Sequence, residues 1–408
     1  MPATRLSNER GVALPMALMT LTLLTVLMLA LASLSRTEPV IAANHLRGSQ
    51  ARALAESGLE YALWALSNPA NPAGLPSPLP EVTVPPFDGR TFVALDPTGG
   101  FTVAVASDAA GDPHRRTISA VGWAPTNQAI GARPRAHRKV TVDVVAVPRL
   151  GARAPCALCV RGPLTVTGNV AIDGRNRDPA CGDDTKYGTF TRDTTTVTGS
   201  VAIAGGAGAS AQHQAATAFD PVTLSPAALE ALKTVAWRNG TYYGPGFPRG
   251  GTVSDGGATW DGRIVFDASN PLPDGVVFVD TTDGGDVGAD PARFATLAGA
   301  RLDAGAFGTD GVFRGWIVVN GSLELAAGLH VRGLVYAVDG LTYQTAATGR
   351  IEGLAVSLNI RETSGASIEA LGGGELAVTF DCAYATAAGL VPPGFLPIPG
   401  TYREDSDE

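Results

Sequence analysis

Residues 11–35 read GVALPMALMTLTLLTVLMLALASLS and lie between Arg10 and Arg36. No formal charge interrupts the run. A helix of about 25 residues is long enough to cross the hydrocarbon core of a bilayer, about 30 Å thick. The stretch therefore places the chain at a membrane, and everything after it must fold on one side of that membrane. A secretory signal would have a shorter apolar core ending at a small-residue cleavage site. Ala30, Ala32 and Ser33 imitate such a site, but the run is longer than a signal needs and the helical pattern continues beyond it.

Residues 36–67, RTEPVIAANHLRGSQARALAESGLEYALWALS, extend the pattern. Ala51, Leu54, Ala55, Gly58, Leu59, Ala62, Leu63 and Leu66 recur at helical spacing on one face, so this half is amphipathic. Pro39 is expected to kink the helix or start a new segment. Asn68, Pro69 and the Pro-rich linker over 68–90 end it. The expectation is one long helix over 12–67, its first half in lipid and its second half on a folded domain.

These residues resemble a family. A short polar leader over 1–11 ending Arg-Gly, an apolar helix and a following ARALAESGLEYAL segment resemble the PilX-type pilus assembly proteins. Those are minor pilins of type IV pili, with pseudopilin relatives. The resemblance implies cleavage by a prepilin peptidase after Gly11, leaving Val12 as the amino terminus. It implies partners that are other pilins or pseudopilins, met through the helix. It also implies residence in the inner membrane with the C-terminal domain in the periplasm, then on a pilus or the cell surface. Most pilins carry a glutamate at the fifth mature position, which here is Met16. A carboxylate in lipid is costly unless paired, and its absence suits a subunit at a tip or in an initiating complex.

Composition fits an exported, turn-rich protein. The 408 residues include 50 glycines and 29 prolines, and only 17% are charged. Charge is usually nearer a quarter of the residues, and such a glycine and proline content points to strands and turns. A formal net charge of -8 supplies no basic surface for a phosphate backbone and argues against nucleic acid as a partner. His114, Arg115, Arg116, Arg135, His137 and Arg138 form local basic spots, with no interleaved aromatic residues to stack bases.

Over 91–150 four apolar alternations, TFVALDP, FTVAVASD, RRTISAVGWAP and RKVTVDVVAVP, are separated by turns. They predict a small antiparallel sheet. With the long helix laid on it, this is a pilin-like α+β module.

The large region over 151–390 is organised by glycines. RGWIVVNGSLELAAGLHV (314–331), RGLVYAVDGLTYQTAATGRI (332–351) and EGLAVSLNIRETSGASI (352–368) align on Gly315, Gly333 and Gly353, spaced by 18 and then 20 residues. Looser copies are GPLTVTGNVAIDG (162–174) and TTTVTGSVAIAGG (194–206), and GRIVFDASNPLPDGVVFVD (262–280) adds two strands. Short strands and Gly-rich turns at this period predict a parallel β-solenoid. An antiparallel β-sandwich is the alternative. One helix is expected near 226–238, with Ser225 as cap, Pro226 at the first position and Gly240 at the stop. Residues 391–408 are a C-terminal tail.

Chemistry is sparse. Cys156, Cys159, Cys181 and Cys382 are disulfide candidates, and four cysteines allow three pairings. The first two form a CxxC with no companion at zinc-ribbon spacing. The loop DTTDGGDVGAD offers Asp280, Asp283, Asp286 and Asp290 as oxygen ligands of the kind calcium takes, though the spacing is not an EF-hand and that mismatch favours metal-free Asp-Gly turns. No cofactor is otherwise expected. Glu324, Arg332, Arg350, Glu352, Arg361 and Glu362 are the charges of the clearest repeats, and no spacing forces a pair of them to converge. The expectation is a non-enzymatic subunit of a type IV pilus or related assembly. The alternative is a membrane-anchored adhesin or glycan-active protein outside any fibre.

Overall fold

The structure, a computed structural model, describes residues 13–67, 85–96, 99–107, 115–128, 135–146, 154–175, 186–205, 222–246, 260–287, 290–308, 310–363, 365–386, 394–398 and 400–405. The chain forms two compact units, one of Met1–Ser107, Thr117–Val142 and Thr401–Glu408, the other of Asp108–Arg116 and Asp143–Gly400.

Helix α1 (Ala13–Ser67) is a single helix of 55 residues that runs through Pro39. A proline removes one backbone bond of a helix without forbidding its continuation, and no new segment starts at Pro39. Sheet strands β1 (Val93–Asp96), β2 (Gly99–Ser107), β3 (Arg115–Ala124) and β4 (Ala136–Ala146) follow, in that order across the sheet, with β1 antiparallel to β2. In β3 burial alternates residue by residue, the signature of a sheet with one covered face.

The second unit is built from short strands. They are β5 (Cys156–Val160), β6 (Leu164–Thr167), β7 (Asn169–Asp173), β8 (Tyr187–Thr191), β9 (Thr195–Thr198) and β10 (Val201–Ala204). After helix α2 (Pro226–Asn239) come β11 (Tyr242–Tyr243), β12 (Arg263–Phe266), β13 (Gly275–Val279), a 3-10 turn at Pro291–Thr296 and β14 (Ala298–Leu302). Then β15 (Val312–Val319), β16 (Gly321–Leu325), β17 (His330–Ala337), β18 (Leu341–Thr345), β19 (Thr348–Ser357), β20 (Ala366–Ala370) and β21 (Glu375–Phe380) lead to a short helix α3 (Cys382–Ala385). The tail contributes β22 (Phe395–Pro397) and β23 (Arg403–Asp405), both antiparallel to β4.

From β13 to β21 the chain alternates between two parallel sheets. One has the order β10-β7-β21-β19-β17-β15-β13-β11 with β5 and β8 attached, the other β12-β14-β16-β18-β20-β6-β9. An antiparallel sandwich would need ladders of the opposite sense, and there are none among the described strands of these two sheets. Identical register carries like residues onto like. Phe266, Leu302, Leu325, Tyr343, Ile368 and Val166 form one column, all buried. Each such side chain contributes about 1.5–3 kcal/mol by leaving water, and no circuit could bury its face alone.

The glycine alignment is a physical column. Gly275, Gly315, Gly333 and Gly353 are ladder partners, at φ of 115°, 140°, 156° and 141°. A Cβ on Gly333 would stand 1.7 Å from the Gly315 carbonyl oxygen. Gly275 joins at a spacing of 40 residues, outside the period of 18–20, because the circuit between β13 and β15 carries the 3-10 turn.

The chain does not wind from one end to the other. Strand β19 pairs over Thr348–Gly353 with β21 and over Ala355–Ser357 with β5, while β20 pairs with β6 and β21 with β7. The earliest circuits thus stack on the latest. The two looser copies also stack, β6 on β9 and β7 on β10, with Leu164 opposite Thr195 and Val170 opposite Val201.

Helix α2 starts and stops as its sequence dictates. Ser225 accepts from the Ala228 amide, Pro226 follows, and Gly240 is left-handed at the stop. The helix packs on β11 and β13 through a face that includes Leu229, Leu232 and Val235.

Candidate functional site

Two features of the chain are chemically or physically unusual, the exposed apolar half of α1 and the buried charges of the second unit. The segment Ala13–Ala32 is long and apolar enough to cross a membrane, and none of it is buried. Met16, where most pilins carry the glutamate, is 66% exposed, and the first turn carries no acid. Thr20, Thr22 and Thr25 return their hydroxyls to carbonyls one turn back, so these polar groups are satisfied within the helix. The proposed cleavage residues Gly11 and Val12 lie outside the described residues. Past the apolar segment, Val40, Ile41 and Leu46 remain exposed.

From Ala51 onward the helix changes role. Ala51, Ala55, Gly58, Leu59 and Ala62, members of the face read from the sequence, are buried. Small residues bring helix and sheet close. A Cβ on Gly58 would lie 2.9 Å from the Phe101 ring, and one on Gly122 would lie 2.0 Å from the Ala51 carbonyl oxygen and 2.4 Å from the Ala55 amide. Tyr61 stacks on Phe87 at 5.4 Å between centroids. Substituting Gly122→Val therefore pushes α1 away from β3. The expected cost is about 2–3 kcal/mol, read as faster amide exchange over residues 51–62 than in the parent chain.

Of the acidic loop, Asp280 is fully buried and serves as the hub of a network rather than as a solvent-facing ligand. Lys233 Nζ lies 3.0 Å and Tyr242 donates at 2.8 Å to Oδ2, while Asn320 Nδ2 donates at 2.7 Å and the Thr281 amide at 2.8 Å to Oδ1. Lys233 also donates to the Gly284 carbonyl and pairs with Glu230 at 2.8 Å. Burial pulls the Lys233 ammonium down, but Asp280 and Glu230 outweigh it and leave its pKa raised. Asp283 pairs with Arg293 at 2.7 Å, and Asp290 accepts from the Ala292 amide at the 3-10 turn. Asp286 also has a partner. Among the described residues no three His, Cys, Asp or Glu side chains come together as a metal site.

Cys156 and Cys159 form a disulfide in β5, both fully buried. Cys382 is disulfide-bonded as well, and Cys181 lies outside the described residues.

The charges of the repeats do meet. Parallel register sets His330 beside Arg350 and Arg332 beside Glu352. Glu352 takes His330 Nε2 at 3.0 Å, Arg332 Nε at 2.8 Å and Arg350 at 3.0 Å. Burial pushes the Glu352 carboxyl up, and Arg332 and His330 outweigh it, holding it at about 2. The stability this group adds is present above its ordinary value of 4.5 and is lost as pH falls toward 2. Glu352→Gln should flatten the acid limb of a plot of melting temperature against pH below about 4.5. Elsewhere Arg361 binds the buried Asp339, which also accepts from Ser322 at 2.9 Å. Glu324 pairs with Arg301 and Glu362 with Arg192. Residues 17–23 positions apart meet because each circuit returns the chain to the same place.

No protein-family model matches the chain, and no curated protein matches it. Among solved structures it is similar to the competence-associated pilin ComZ from Thermus thermophilus, at 11% identity and a TM-score of 0.23, over 88% of this chain and 98% of that one. A likeness of that degree leaves the functional reading to rest on α1 and its sheet.

Proposed function

We propose that the chain is a pilin-like subunit, a minor pilin of the PilX type or a pseudopilin, that joins a type IV pilus or related assembly through α1. The observation that carries this is the division of one 55-residue helix into an apolar, wholly exposed segment over Ala13–Ala32 and a small-residue face packed on a sheet. Exposed apolar surface of that size must be covered by lipid or by other helices. A helix that first sits in a bilayer and later among its neighbours meets both needs. In this reading the prepilin peptidase cleaves after Gly11 and the chain waits in the inner membrane with both units in the periplasm. It then passes to the pilus or cell surface. The lack of an acid at Met16 supports a place at the tip or in the initiating complex, because the apolar segment of this helix offers no carboxylate to a neighbour's amine.

The second unit is then the displayed part. Its parallel, in-register ladders and the glycine column support reading it as a parallel β-solenoid, and in this proposal it takes no catalytic part. The test is mass spectrometry of the mature amino terminus. Val12 is the expected first residue, and an intact Met1 or a cut near Ala32 defeats the reading.

A further inference from the structure

The tail covers the outer edge of β4 in two unlike ways. Phe395–Pro397 pairs with Val144–Ala146, and Leu396 packs on the apolar core of the second unit. Arg403–Asp405 pairs with Lys139–Thr141, and all three of its residues are exposed. Between these strands Gly400 has a φ of 77°, which glycine adopts without strain. What holds β23 besides its ladder is charge. Glu404 lies 3.5 Å from Arg52 of α1 and 3.8 Å from Arg138 of β4, Asp405 is the register partner of Lys139, and the Tyr402 hydroxyl donates to Glu56 at 3.3 Å. Arg52 also pairs with Glu56, and Glu56 and Glu404 raise its pKa.

An exposed strand of three residues tied by surface ion pairs is weakly held. When it leaves, β4 presents unpaired backbone groups beside Arg52, Arg138 and Lys139, which is an acceptor edge for a further strand. We propose that this edge is a docking site for the extended, acidic C-terminal segment of a second copy of the chain, and that β23 occupies it in cis until exchanged. The occupant follows from complementarity already present. Another copy's Tyr402–Asp405 offers the same aromatic, the same two acids and the same register, so each contact made within one chain is available between two. The inference is independent of the pilin reading, since it needs only the sheet, the tail and the sheet-packed half of α1.

The test uses three variants of the full chain, whose native cysteines leave no free thiol among the described residues. Lys139→Cys combined with Asp405→Cys in one chain should close an intramolecular disulfide, because the two positions are register partners. A mixture of chains carrying Lys139→Cys alone and Asp405→Cys alone should form a crosslinked heterodimer under the same oxidation. Its yield should change by less than about twofold from about 0.05 M to about 0.5 M salt, since screening weakens the same ion pairs in cis and in trans alike. Closure in the double variant with no heterodimer from the mixture would show that β23 does not exchange and would overturn the proposal. A heterodimer whose yield falls about tenfold over that range would show that the contacts in trans differ from those in cis and would overturn the shared register. Failure of the double variant to close would overturn the register on which both rest.

Discussion

Replacing Gly333 by alanine should destabilise the second unit by about 3–5 kcal/mol, the sum of left-handed backbone strain and overpacking against a neighbouring strand. The residue sits at φ 156°, and the added Cβ would fall 1.7 Å from the Gly315 carbonyl oxygen and 2.8 Å from its carbonyl carbon. Those are backbone atoms of a strand paired on both sides, so the clash is not relieved by a side-chain rotation. Movement of β17 would also disturb β15 and β19, since Gly315 and Gly353 are its ladder partners. The comparison that isolates the effect is Gly299→Ala. Gly299 lies in β14 of the other sheet, and an added Cβ there meets no atom within 4 Å. Thermal or urea unfolding followed by tryptophan fluorescence should show a large loss for the first and a change within about 0.5 kcal/mol for the second. Equal losses would mean that the column is not what sets the approach of the strands.

The second large effect is expected at Asp280. Its carboxylate is fully buried and ties α2, through Lys233, to β11, through Tyr242, and to the end of β15, through Asn320. Asp280→Ala strands a largely buried ammonium and removes the acceptor for three further donors, the Tyr242 hydroxyl, the Asn320 amide and the Thr281 backbone amide. The expected loss is about 3–5 kcal/mol. Adding Lys233→Met to that variant should restore part of it, because the uncompensated charge is gone. The pH dependence has a definite sign. Lys233 has a raised pKa, so the stability from its pairing is fully present below the unfolded value of about 10.5 and is lost only as pH rises through the higher folded value. Unfolding midpoints measured from pH 7 to 10 should therefore show no loss from this pair, and a fall within that range would argue against the ion pair.

Both predictions concern groups that the sequence displays unequally. Gly315, Gly333 and Gly353 announce themselves by regular spacing, and the same spacing sets their register in the ladders. Gly275 belongs to the same column and does not, because the intervening 3-10 turn lengthens the circuit. Asp280 looks like one of four similar acids in a Gly-rich loop. Only burial separates it from Asp283, which faces Arg293 near the surface. His330, Arg332, Arg350 and Glu352 likewise carry no local sign of convergence, since what joins them is a return of the chain to the next rung.

What the sequence determined by itself is what depends on neighbours along the chain. The apolar run from Gly11, the small-residue face from Ala51 to Ala62 and the cap and stop of α2 at Ser225 and Gly240 all follow from helical geometry and backbone preference. The strand period around the glycines follows from the alternation of buried and exposed side chains. Tertiary structure alone decided that the circuits near Cys156 close onto those near Ser357 and that the acidic tail lies on β4 opposite Lys139. These depend on apolar area and backbone pairing between residues up to hundreds of positions apart, whose free energy no local pattern records.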